Sequence, residues 1–155
     1  MKALVVYYSR KGHTAQIAEQ IAKELGAETD VIIDKKKRGG PFGFLGSGKD
    51  SMNDVPADIE EPKRDPAGYE LVVVGTPIWA GQACTPARAY IRKFSGRFPE
   101  VAFFISCSGN YKTTLEDLAK MAGKAPKATL VVTNGEQKNG AHAAKVEEFV
   151  GKLRV

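Results

Sequence analysis

The architecture of this chain is indicated by one stretch near its start, Leu4-Val5-Val6-Tyr7-Tyr8-Ser9-Arg10-Lys11-Gly12-His13-Thr14. Its first part, Leu4–Tyr8, favours β structure and is too apolar for a strand with one solvent-exposed face. It therefore predicts a central parallel strand that is covered on both sides of the sheet. Side chains then recur at helical spacing, and Gly26 follows as a C-terminal stop, the repeating residues being Thr14, Ile17, Ala18, Ile21, Ala22 and Leu25. The stretch therefore predicts a strand, a tight turn and a helix.

The rest of the chain repeats this alternation. Further strands are predicted at Glu28–Ile33, Glu70–Gly75, Val101–Ser106 and Ala128–Thr133. Helices are predicted after an N-cap and first-turn proline at Thr85-Pro86, after a capping box at Thr113–Glu116, and from about Ala141 to Leu153. Five strands alternating with helices predict a parallel sheet with right-handed crossovers, in a single domain that spans residues 1–155.

One interval, Lys35–Gly68, breaks the alternation because it lacks a helical period and is rich in Gly, Pro and charge. Loops of this length are usually functional or disordered, and three apolar residues (Phe42, Phe44 and Leu45) argue against disorder. The interval is either an ordered cover where a helix would otherwise lie, or a lid or docking surface. Its basic run, Lys35–Arg38, is either a solvated surface or a patch for an acidic protein or a phosphorylated ligand.

Composition narrows the function classes. Hydrophobic residues make up 43% and charged residues 26%, as in ordinary globular proteins. No apolar stretch approaches the roughly 18 residues that span a bilayer, and the start of the chain lacks signal-peptide features, so a cytoplasmic location is expected. Two cysteines and two histidines without ligand-like spacing argue against a metal site. The net charge is +5, but no nucleic-acid recognition motif accompanies it.

The first of three informative loops, Ser9–Thr14, follows the first strand. Ligands of open parallel sheets bind beyond the carboxyl ends of the strands. A helix N-terminus supplies free amides and a partial positive charge, to which Ser9, Arg10, Lys11 and Thr14 would add hydroxyls and cations. The alternative is a plain turn in which Thr14 caps the helix. The loop matches neither the Walker nor the dinucleotide-binding glycine pattern.

Two further loops would lie at the same edge of the sheet. The second, Gly75–Gln82, holds the only tryptophan, which is either a core residue or, as its Pro, Ala and Gly neighbours favour, a stacking surface. In the third, Ser106–Tyr111, small residues would let a flat ligand approach the backbone and Tyr111 could cover its other face; the alternative is a capped turn. The three loops together predict a site for a flat ring system with a phosphate tail.

These loops, in this order and at these separations, resemble the flavodoxin family over nearly the whole chain except Lys35–Gly68. The resemblance implies a flavodoxin-like three-layer α/β sandwich with a five-stranded parallel sheet in the order 2-1-3-4-5. A long Gly-rich loop would replace the helix after the second strand. The resemblance also implies non-covalently bound FMN as the cofactor.

The resemblance further implies which residues hold FMN. Ser9, Gly12 and Thr14 match the phosphate loop of the family, Arg10 and His13 supply its variable amides, and Lys11 stands where threonine is usual, so that an ammonium replaces a hydroxyl. The loop beside the isoalloxazine would comprise Thr76, Pro77, Ile78, Trp79, Ala80 and Gly81, with Trp79 stacking and the Ala80–Gly81 peptide facing flavin N5. The pyrimidine edge and ribityl chain would lie along Ser106, Cys107, Ser108 and Gly109, with Tyr111 as a further aromatic candidate.

The function implied is electron transfer through FMN, with no side chain needed as a general acid or base. The small size and the lack of an evident nucleotide-binding element favour a carrier that serves a redox partner protein. The alternative is an NAD(P)H-dependent reductase of a quinone or flavin, and a third class is a cofactor-free binding module. Carriers of this family are generally acidic, whereas this chain is net positive, which implies different partners. Monomer and homodimer both stay open.

The two cysteines carry separate expectations. Cys107 would lie close to the flavin as a small buried residue. Cys84 is predicted near a helix N-terminus, a position that lowers a thiol pKa. A disulfide between them is disfavoured in a reducing compartment.

Overall fold

The computed structural model describes residues 1–35 and 57–155. Its strands are β1 (Ala3–Tyr7), β2 (Glu28–Val31), β3 (Leu71–Trp79), β4 (Gln82–Ala83), β5 (Glu100–Cys107) and β6 (Thr129–Thr133). Its helices are α1 (His13–Leu25), α2 (Thr85–Lys93), α3 (Thr114–Ala122), α4 (Asn134–Asn139) and α5 (His142–Leu153). Each predicted strand and helix is present, with ends displaced by a few residues.

The sheet confirms the predicted order. Five strands lie parallel as β2-β1-β3-β5-β6, and the short β4 pairs antiparallel with the end of β3. Val5 of β1 lies between Thr29 of β2 and Val73 of β3. The chain therefore moves outward in one direction from β1 to β2 and in the other from β1 to β3. The loops after β1 and β3 diverge at this reversal, which opens a crevice between them.

Helices cover both faces of the sheet, which makes three layers. Val5 packs with the face that α1 and α5 cover, whereas its neighbours Leu4 and Val6 pack with the face that α2 and α3 cover. All five residues of β1 are buried, as the apolar run predicted. Alternate side chains of one strand thus enter two separate apolar cores, each stabilised by removal of its side chains from water.

Two helix starts differ from the prediction. Thr113 does not cap α3, because its backbone lacks the extended conformation of an N-cap and its hydroxyl donates instead to Asp117 Oδ2 at 3.0 Å. The capping box lies at Thr133 and Glu136, where it begins the unpredicted helix α4. Helix α2 starts one residue earlier than predicted, with Cys84 as its N-cap.

The described ends of the interval between β2 and β3 are held together. The Lys35 N–H donates to the Asp58 carbonyl at 3.0 Å, and the Glu60 N–H donates to the Ile33 carbonyl at 2.8 Å. Residues 57–70 contain one short 3₁₀ turn, Pro66–Gly68. The expectations for Lys36–Arg38 and for the Gly- and Phe-rich stretch 39–48 fall outside the described residues. In the described part of the chain, no helix is both long enough and apolar enough to cross a membrane.

Candidate functional site

The three predicted loops meet at the carboxyl ends of β1, β3 and β5 around one cavity of about 260 Å³. Its described lining comes from every one of these loops and from the start of α4, the residues being Ser9, Arg10, Lys11, His13, Thr14, Pro77, Ile78, Trp79, Ser106, Cys107, Ser108 and Asn134. Gly12, Thr76, Ala80, Gly81, Gly109 and Tyr111, also predicted for the site, are not among these lining residues. The structure therefore brings eleven of the predicted site residues to one cavity and leaves the other six outside its lining.

The first loop ends in a helix N-terminus that no side chain caps. Gly12 is the N-cap with φ 93°, a left-handed conformation that favours glycine, and α1 has no acidic residue in its first turn. Ser9 Oγ accepts the Gly12 N–H at 3.0 Å, which shapes the turn. Thr14 is thus not the helix cap. The first amides of α1 have no intrahelical acceptor and carry the positive end of the helix dipole, an arrangement that favours an anion.

Thr14 and Ser106 join the first loop to the third. Their hydroxyl oxygens lie 2.6 Å apart, and either can be the donor. Both side chains are almost fully buried, and both residues line the cavity. One hydrogen bond between residues far apart in sequence therefore fixes the start of α1 against the end of β5.

The second loop is shorter than predicted. The strand was expected to end at Gly75, but Thr76–Trp79 belong to β3. Pro77 is the last residue of β3 that pairs with β5, and beyond it Ile78 and Trp79 pair with β4. The strand continues past a proline because it changes partner there. Ala80 and Gly81 form the two-residue turn with φ 53° and 78°, the left-handed pair typical of a tight hairpin.

The buried Thr76 side chain stabilises this β3–β4 hairpin through hydrogen bonds to its backbone. Its Oγ1 accepts the Cys84 N–H at 3.1 Å and lies 2.7 Å from the Pro77 carbonyl, to which it donates. The side chain is fully buried. Thr76 therefore supports the cavity wall and does not face the cavity.

Trp79 lies at the cavity with its ring already packed. It is 6% exposed and meets Tyr8 edge-to-face, with ring centroids 5.5 Å apart and an interplanar angle of 89°. Such a T-shaped contact orients an indole. Trp79 is thus both a core residue and a lining residue, and stacking on a ligand stays a prediction.

The third loop lies partly in the lining of the cavity and partly outside it. Ser106 and Cys107 end β5 and Ser108 follows them at the cavity. Tyr111 lies in a turn, and its backbone carbonyl accepts the Thr114 N–H at 3.0 Å. The loop therefore borders the cavity at its start and makes a turn into α3 at its end, and the contact of a ligand with this loop stays a prediction.

Asn134 is the lining residue that the sequence analysis missed. It opens α4, directly after β6, so its position at the carboxyl end of a parallel strand was the available signal.

Gln137 fixes α4 beside α1 by donating from Nε2 to the His13 carbonyl and to Gln16 Oε1, each at 3.0 Å. The Thr133 N–H and the Lys145 ammonium hold the pKa of Glu136 below its ordinary value.

Basic side chains lie along the described lining of the cavity. Arg10, Lys11 and His13 lie along its described lining, which includes no aspartate or glutamate. With the uncapped start of α1, these side chains make the first loop the part of the site best suited to a phosphate.

Burial raises the pKa of the Cys84 thiol to about 12, which overturns the expectation of a lowered value. The side chain is fully enclosed, and the loss of hydration outweighs the favourable position at the start of α2. Burial also raises the pKa of Cys107. Both thiols are free, and no disulfide joins them.

A thiol with such a pKa is expected to resist modification. At about pH 8 only about one Cys84 side chain in ten thousand would be a thiolate, the reactive form. Ellman's reagent, followed between about pH 7 and pH 9 with the labelled site identified by mass spectrometry, should modify Cys84 only after urea denaturation. Rapid labelling of Cys84 in the native protein would contradict the burial described here.

Comparison with known proteins gives likenesses of structure. No family model matches the chain, and no curated protein sequence matches it. A flavoprotein from Lactobacillus acidophilus NCFM, solved in complex with FMN, is 22% identical with a TM-score of 0.74, covering 89% of this chain and 97% of its own.

Two flavodoxins are also similar. That of Streptococcus pneumoniae TIGR4 is 14% identical with a TM-score of 0.57, covering 99% of this chain and 98% of its own. Two-electron reduced flavodoxin of Megasphaera elsdenii is 15% identical with a TM-score of 0.54, covering 97% and 96%. At these identities the likeness concerns the fold, and with the strand order described above it shows that the chain has the flavodoxin-like fold.

Proposed function

We propose that this chain binds FMN non-covalently and transfers electrons through it. The observation that carries the proposal is a single cavity with an uncapped helix N-terminus and cations at one end and a fixed tryptophan at its wall. A phosphate and a flat aromatic ring need these two kinds of surface. The fold shared with an FMN-bound flavoprotein supports the assignment.

The residues present fit an FMN phosphate. The first amides of α1, the Ser9 and Thr14 hydroxyls and the Arg10 or Lys11 side chains would supply donors and positive charge. The Thr14–Ser106 hydrogen bond holds one of these hydroxyls in place before any ligand arrives. Little reorganisation is then needed on binding, which favours affinity.

Bound FMN would supply the redox chemistry. The protein's part is to orient the ring, to exclude water from one side and to set the local electrostatics. The Trp79 side chain is oriented for that task by Tyr8. The donor and acceptor are then redox proteins, and the net charge of +5 favours partners with an acidic face.

A visible spectrum during titration of the purified protein with FMN tests the proposal. One equivalent should bind, with quenching of flavin fluorescence, and riboflavin should bind more weakly because it lacks the phosphate. Protein that takes up neither flavin would overturn the assignment.

An anaerobic titration of the FMN-loaded protein with NADH and with NADPH separates carrier from reductase. A carrier should bleach slowly with either nucleotide and quickly with a reduced redox protein. Rapid bleaching by NADPH alone would replace the carrier with an NAD(P)H-dependent reductase.

A further inference from the structure

The segment Asn110–Thr114 is fixed to the turn of the β3–β4 hairpin. The Thr114 hydroxyl donates towards the Gly81 carbonyl at 3.3 Å and the Tyr111 carbonyl at 2.5 Å. Asn110 Oδ1 accepts the Lys112 N–H at 2.8 Å, and Lys112 has φ 47°, a conformation that non-glycine residues rarely adopt. The backbone around Lys112 is therefore held in one arrangement against the hairpin.

The Lys112 side chain lies directly on Gly81. A methyl group built at Gly81 would be 2.8 Å from Lys112 Cε and 3.3 Å from its Nζ. The ammonium thus lies beside the hairpin turn, although the side chain as a whole is exposed. No carboxylate of residues 1–35 or 57–155 forms an ion pair with Lys112. Its charge is consequently not neutralised by a described neighbour.

The hairpin also borders the candidate site. Ile78 and Trp79, the last residues of β3, line the cavity, and the turn against which Lys112 packs follows them at once. The described lining contains no acidic side chain that would offset the ammonium. In sequence only Ala80 separates Gly81, on which Lys112 packs, from the lining residue Trp79, so we expect a change of charge inside the cavity to act on the Lys112 ammonium.

We propose that the Lys112 ammonium stabilises reduced FMN relative to oxidised FMN, and so sets part of the reduction potential of this site. The inference rests on the proposed FMN function. When FMN accepts two electrons and one proton from a reductant, the ring gains one negative charge. A nearby cation lowers the free energy of the charged form more than that of the neutral form.

The experiment is a potentiometric titration of the FMN-loaded protein against a reference dye, with dithionite as the reductant. Lys112→Met keeps the unbranched stem on Gly81 and removes the charge, so it should weaken the preference for reduced FMN about fivefold, a fall of ~20 mV for a two-electron couple. Lys112→Arg should keep the wild-type potential. The difference between wild type and Lys112→Met should shrink at high salt, because the ammonium is exposed.

Lys124→Met is the matched control. It removes the same charge at the opposite edge of the sheet, where Nζ donates to the Pro99 carbonyl at 3.3 Å, and should leave the potential unchanged. Thermal melting of every variant shows whether the fold is intact, and titration with FMN before and after reduction gives the affinity for each redox form.

The outcomes test the effect of Lys112 on the reduction potential separately from the proposed binding of FMN. Equal loss of affinity for oxidised and reduced FMN in Lys112→Met would make Lys112 a packing residue and overturn the inference. An equal shift in Lys124→Met would assign the effect to net charge, which also overturns it. Wild-type protein that takes up no FMN would overturn the proposed function and this inference together, whereas FMN uptake with unchanged potentials would overturn only the inference.

Discussion

Replacement of Gly75 by alanine is expected to reduce the free energy of unfolding by about 3 kcal/mol. Gly75 of β3 lies opposite Phe104 of β5 in the parallel register. A Cβ at Gly75 would be 1.9 Å from Phe104 Cζ, inside the ring's van der Waals surface. Phe104 is fully buried beneath α1 and α5, and because protein cores are closely packed, moving the ring would disturb its neighbours. Urea denaturation followed by circular dichroism measures the loss.

Two further variants test the cause. Gly68→Ala is the control, because a Cβ there meets no atom within 4 Å, and its unfolding free energy should stay within about 0.5 kcal/mol of wild type. Phe104→Leu removes the outer ring atoms, so the double variant Gly75→Ala/Phe104→Leu should lose less stability than the sum of the single changes. Additive losses would show that the clash is not the reason for the glycine.

Replacement of Thr14 by valine is expected to weaken FMN binding by about 10- to 100-fold, the loss of one hydrogen bond to a charged group. The valine keeps the shape of the buried side chain and removes the hydroxyl that lies 2.6 Å from Ser106 Oγ. Because riboflavin has no phosphate, its affinity should change far less. Fluorescence titration with both flavins gives the ratio, which isolates the phosphate contribution.

Two neighbouring variants define the contribution of that hydroxyl. Thr14→Ser restores it and should recover most of the affinity for FMN. Ser106→Ala removes the partner but leaves the Thr14 hydroxyl, so it should cost less FMN affinity than Thr14→Val. Equal losses for FMN and riboflavin in Thr14→Val would place the effect in the packing of the α1–β5 contact and would remove Thr14 from the phosphate site.

The sequence predicted the fold well where local signals and burial agree. The apolar run at β1 and the glycines that flank α1, Gly12 and Gly26, each specify a backbone conformation that the structure contains. The strand order also followed, because the resemblance rested on loops at fixed separations. The strand and helix ends depend on residues close together in the chain, whereas the strand order came from the resemblance.

The prediction was wrong at two positions where a further contact overrides the signal of the nearest residues. Gly75-Thr76-Pro77 is typical of a strand end, yet β3 continues because β4 supplies a new partner at Ile78. The position of Cys84 at a helix start is typical of a lowered pKa, yet burial raises that pKa. The β4 pairing is a short-range hairpin contact around Ala80–Gly81 that the sequence analysis missed, whereas the burial of Cys84 depends on residues that are distant in the chain.

The candidate site was predicted more fully by its loops than by its contacts. The sequence identified Thr14 and Ser106 separately, but their hydrogen bond joins residues that no local pattern connects. Lys112 was not identified, because its contact with Gly81 depends on how two loops pack. Pairwise contacts of this kind need the three-dimensional arrangement of the strands.

The paired backbone of Ile33–Lys35 and Asp58–Glu60 has a consequence for how this chain tolerates insertions. The polypeptide leaves the sheet edge and returns to it at adjacent points, since Lys35 donates to Asp58 and Glu60 donates to Ile33. In general, closing a loop between two fixed points costs only about 0.6 kcal/mol more entropy for each doubling of its length. Lineages could therefore lengthen, shorten or exchange what lies between Lys35 and Asp58 while keeping β1 and β3, and the cavity at their ends, in register.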